Sequence, residues 1–67
     1  MEDKQKICSL LVPALQATRN LSDLVDLKYN ERNETVTAHF SNGASKRAYV
    51  AADSGTAMIR DIISQIV

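Results

Sequence analysis

Cys8 and His39 are the only thiol and the only imidazole in the chain, a nucleophile and a general base by type. Their positions argue against a working pair. Cys8 lies at the edge of an apolar helical stripe, where a thiol is usually inert packing. His39 falls on the outward side of an alternating strand. The same two residues are the whole Cys/His supply, and a structural zinc site usually takes four such ligands. No metal, cofactor or catalytic residue is expected, and no carboxylate pair stands at useful spacing in an apolar setting. Asp53-Ser54-Gly55-Thr56 places small residues before a helix, a generic recipe for holding an anion. However, the five residues before Asp53 include no Lys or Arg, and Asp53 itself repels an anion. A helix cap is the plainer reading.

Lys28, His39, Lys46, Arg47 and Tyr49 are the residues that could contact nucleic acid. Lys28, His39, Arg47 and Tyr49 would share the exposed side of a sheet, where an aromatic can stack a base. Net charge weighs against this. Eight Lys+Arg balance eight Asp+Glu, for a formal charge of +0, so there is no long-range pull on phosphates.

The elements that position these residues follow from hydrophobic periodicity. Asp3 to Arg19 reads as an amphipathic helix, with Ile7, Leu10, Leu11, Ala14, Leu15, Ala17 and Thr18 on one side. Asn20 is placed as a left-handed C-cap, with Leu21 folding back. Pro13 interrupts this helix, so either a kink between Ser9 and Pro13 or two short helices is expected. Leu24 to Tyr29 alternates, placing Val25, Leu27 and Tyr29 on one face and Asp26 and Lys28 on the other. Asn30 to Asn33 is turn-forming. Thr35 to Phe40 alternates with Val36, Ala38 and Phe40 inward. Asn42-Gly43 is a hairpin signal, and Lys46 to Ala51 forms the third strand. Ala57 to Ile66 is a second amphipathic helix, capped by Asp53 or Ser54.

The Asn42-Gly43 turn admits two registers. A two-residue loop would put Arg47 on the core face. A three-residue loop with a left-handed Gly43 would pair Phe40 with Ala44 and turn Ala44, Ala48 and Val50 inward. Burying an unpaired guanidinium costs far more than exposing part of Tyr49, so the bulged loop is expected. The fold class is therefore α+β, in the order α-β-β-β-α: a three-stranded antiparallel meander with two helices on one face, forming a single domain over 1–67. This order resembles the layout of the double-stranded-RNA-binding domain. That family carries a lysine cluster at the start of its last helix. Here Ser54-Gly55-Thr56-Ala57 stands there, so no functional residue is carried over.

Function is less legible. No apolar run approaches the roughly 18 residues of a membrane span. A lone cysteine suits a reducing compartment. Near the start, Lys4 and Lys6 are offset by Glu2 and Asp3 and no small-residue cleavage site follows, so a cytoplasmic location is expected. Both helices bring apolar arcs spanning about half their circumference, wider than a surface helix needs. That surplus suggests a non-catalytic protein-interaction module that forms a homodimer, with Val12, Met58, Ile62 and Val67 as its partner surface. The two sheet edges are further places where a strand could add. A weak nucleic-acid binder using Lys28, His39, Arg47 and Tyr49 is the alternative.

Overall fold

A computed structural model describes residues 3–51 and 54–66. Helix α1 spans Lys4–Gln16, strands β1, β2 and β3 span Leu24–Asn30, Thr35–Phe40 and Ser45–Tyr49, and helix α2 spans Gly55–Ile66. The strands form one antiparallel sheet in the order β1-β2-β3. α1 packs over β1 and α2 over β3, and the helices meet each other only slightly. The expected α+β meander is the fold of this chain.

One apolar cluster joins both helices to one side of the sheet. Leu24, Leu27, Val36, Ala38, Ala48 and Val50 meet Cys8 and Leu15 of α1 and Met58, Ile62 and Ile66 of α2. Leu21 closes the cluster from the connection between α1 and β1. The β2–β3 hairpin takes the three-residue loop. The Phe40 N–H donates to the Ala44 carbonyl at 3.0 Å, and Gly43 has φ 88°. That register turns Ala48 and Val50 inward and Arg47 outward, as the cost of burying a guanidinium requires. Ala44, at the hairpin, stays exposed.

α1 is one continuous helix through Pro13, not two short ones, and is capped by Asp3, whose carboxylate accepts from the Lys6 N–H. It departs from expectation in two ways. It ends at Ala17 in right-handed conformation, not at a left-handed Asn20, and Thr18 folds its hydroxyl back onto the Leu15 carbonyl at 2.6 Å. Its buried side is also turned by roughly a quarter of the circumference, about one residue step at 100° per residue. Cys8 and Leu15 are buried and Val12 is half-buried, while Leu10 is 64% exposed and Ala14 faces solvent. Polar contacts choose between the two settings of a wide apolar arc. In the observed one, Gln5 and Gln16 lie on one flank and reach β1.

β1 also shifts phase. Leu24 pairs with Phe40 and Asp26 with His39, so Val25 is an extra residue in a bulge. Leu24 takes the core position, and Val25, expected beside Leu27, is 51% exposed. At the other end, α2 begins at Gly55, with Ser54 as its cap: the Ala57 N–H donates to Ser54 Oγ at 3.3 Å. Asp53, the other candidate cap, lies outside the described residues.

Candidate interaction surface

Among the described residues, none forms a layer over the side of the sheet away from the helices. Register arranges it in rows across the strands. Lys28, Thr37 and Arg47 form one row, and Asp26, His39 and Ser45 the next. Asn30, Thr35 and Tyr49 form a third. Lys28, His39, Arg47 and Tyr49 are all exposed and share this face, as the alternation of their strands predicts. Lys28 and Arg47 flank Thr37, and among the described residues neither has a carboxylate within 4.0 Å. His39 Nε2 lies 3.9 Å from Asp26 Oδ1, an oxygen shielded from solvent and without a hydrogen bond. Thr35 is the one outward residue that is buried, its hydroxyl donating to Asn33 Oδ1 at 2.6 Å.

Lys46 belongs to the other side. It alternates with Ala48 and reaches the end of α2, donating from Nζ to the Ile66 carbonyl at 3.2 Å. A cation there complements the negative end of the helix. Cys8 and His39 are on opposite sides of the sheet, so no nucleophile–base pair forms. Cys8 is fully buried, and desolvation pushes its thiol up from 9.0 to about 11. It stays protonated and unreactive at neutral pH.

The expected partner surface is corrected. Met58 and Ile62 are completely buried within this one chain, in the cluster where α2 packs on β3. They are not available to a partner. Val12 is half-buried against the same core, and Val67 lies outside the described residues. Among the described residues, the large apolar side chains that remain exposed are Leu10, Val25, Tyr49 and Ile63.

Glutamines close parts of both sheet edges, a role that residue types alone did not reveal. On β1, the Gln5 amide accepts from the Tyr29 N–H at 2.9 Å and donates to the Leu27 carbonyl at 3.4 Å. Gln16, on the same flank of α1, donates to the Leu24 carbonyl at 2.7 Å. On β3, the Gln65 amide accepts from the Tyr49 N–H at 2.8 Å and donates to the Tyr49 carbonyl at 3.0 Å. A carboxamide offers a donor and an acceptor side by side, as a strand backbone does. The spacing of Gln5 and Gln16 on one helical flank was the available signal. The chain matches no protein-family model, no curated protein and no solved structure.

Proposed function

We propose that this chain is a small non-catalytic protein-interaction module that binds through the open side of its sheet. One observation carries the reading. The helix side is filled by a closed apolar core, while three strands present Lys28, Thr37, His39, Arg47 and Tyr49 to solvent on the other side. Large exposed aromatic and arginine side chains are the types that dominate binding energy at protein interfaces. Tyr49, 64% exposed, is the natural anchor, with Arg47 two residues before it.

Self-association rests on a narrower base than the sequence suggested. The accessible surface is 4420 Å², close to the roughly 4200 Å² of a compact monomer of this mass. Among the described residues, Leu10, Val25, Tyr49 and Ile63 are the large exposed apolar side chains left to support a dimer. Sedimentation equilibrium measures that directly.

The module reading is tested with a photoactivatable residue placed at Tyr49 in one variant and at Ile63 in another, both expressed in the native host. Protein adducts formed at position 49 support it. Adducts formed only at position 63 contradict it. Nucleic-acid adducts at position 49 would favour the second reading. That reading draws on a further observation: Lys28, Arg32 and His39 border one shallow basin beside Thr37, with the carboxylate of Glu31 also in its lining, so two cations against one anion face a phosphate backbone there.

A further inference from the structure

We propose that the free edge of β3, from Ser45 to Arg47, takes an extended acidic segment of a protein partner as an additional strand. This rests on the module reading and adds which edge is used and what chemistry the partner carries.

Two hydrogen bonds flanking β3 set which of its backbone groups point outward. The Phe40 N–H donates to the Ala44 carbonyl, and the Val50 N–H to the Glu34 carbonyl, both at 3.0 Å. Alternation between these pairs turns Lys46 and Ala48 toward β2 and the polar groups of Ser45, Arg47 and Tyr49 away from it. Gln65 holds both groups of Tyr49. On the opposite edge, Gln5 and Gln16 occupy β1 at Leu24, Leu27 and Tyr29. The backbone groups of Ser45 and Arg47 have no such cover among the described residues, and both residues are exposed. An edge with unpaired N–H and C=O groups is a template for another strand.

Charge selects the occupant. Lys46 and Arg47 put a cation on each side of the sheet at this edge. A two-fold pairing with a second copy, centred on the free stretch, sets Lys46 opposite Lys46 of that copy, and like charges directly opposite are destabilising. A strand carrying carboxylates on both of its faces meets both cations. The charges that reject a copy favour an acidic segment.

The test uses isotope-labelled full chain and a synthetic peptide in which adjacent pairs of glutamates, one on each face of the strand, are separated by valine–threonine pairs, added to about 1 mM, the weak end of specific binding. The expected result is amide shifts and slowed exchange at Ser45 and Arg47, with Leu27 and Tyr29 unmoved. A peptide with lysine in place of glutamate, and one N-methylated at alternate residues, each lose at least about tenfold in affinity, because one reverses the charge and the other removes the ladder. Lys46→Glu combined with Arg47→Glu loses binding to the acidic peptide. No shifts, undiminished binding of the N-methylated peptide, or shifts confined to Lys28, Thr37 and Tyr49 would each overturn the proposal. Protein adducts at position 49 alongside a failed peptide would reject this edge while sparing the module reading.

Discussion

Gln65 holds Tyr49 by both of its backbone polar groups, although 16 residues separate them, with the N–H donating at 2.8 Å and the carbonyl accepting at 3.0 Å. The side chain of α2 thereby stands in for one residue of a fourth strand. It ends the exposed edge of β3 just where Arg47 leaves off, and it fixes the end of α2 against the sheet.

Removing that clamp has a defined consequence. Gln65→Ala is expected to cost about 1–2 kcal/mol, two partly exposed hydrogen bonds at the usual net value. The Tyr49 amide then exchanges faster, while Val36 changes only through the global loss of stability. Gln65→Glu keeps the acceptor, loses the donor and falls between. Urea denaturation and residue-resolved exchange check both.

Cys8 makes stability depend on alkaline pH. Burial raises its thiol from 9.0 to about 11. The unfolded chain therefore releases this proton at lower pH than the folded one. Ionisation favours unfolding across the window from about pH 9 to about pH 11, so stability falls as pH rises through it and is unaffected by this group below it. Comparing Cys8→Ala with the parent at about pH 8 and about pH 10.5 isolates the effect, with an alkaline loss of roughly 2 kcal/mol absent from the variant. Thiol reagents at neutral pH should react only as fast as the chain opens.

The bulge in β1 predicts a contrast between neighbours. Val25→Thr should change stability by less than about 0.5 kcal/mol, because the side chain stands outside the core. Leu24→Ala should cost about 2–4 kcal/mol. A larger loss at Val25 than at Leu24 would mean that β1 keeps strict alternation, with Val25 inward and Leu24 outward.

Gly43 should resist substitution for backbone reasons alone. Its φ is 88°, and nothing lies within 4 Å of where a Cβ would stand. Gly43→Ala is therefore expected to cost about 1 kcal/mol, the penalty of left-handed backbone for an L-residue. Thermal denaturation reads this directly, and a cost near zero would mean the loop relaxes to another turn.

These contrasts mark how far the residues could be read. The hairpin register was legible, because one choice buried Arg47 and the other did not. The grouping of His39, Arg47 and Tyr49 followed from strict alternation in β2 and β3, and Lys28 joined it from the regular part of β1 beyond the bulge. The phase of β1 was legible from Asp26 onward but not at its start, since Leu24 and Val25 are equally apolar and only pairing with Phe40 and His39 tells them apart. The setting of α1 was hidden for a similar reason. An apolar arc that wide admits two rotations, and the decision lies in contacts of Gln5 and Gln16 with a distant strand. The apolar surplus was overestimated because Met58 and Ile62 sink completely into the cluster between α2 and the sheet, a depth of packing that periodicity does not record.

Residue-resolved amide exchange on the free protein tests most directly whether the chain closes one side of its sheet and one edge while leaving the other edge of β3 for a partner. Arg47 should exchange within about tenfold of an unstructured amide, while Tyr29 and Tyr49, held by glutamines, exchange at least about a hundredfold more slowly, the span between an open edge and a bonded one. Protection of Arg47 as strong as that of Val36 would contradict it, since that edge would already be covered.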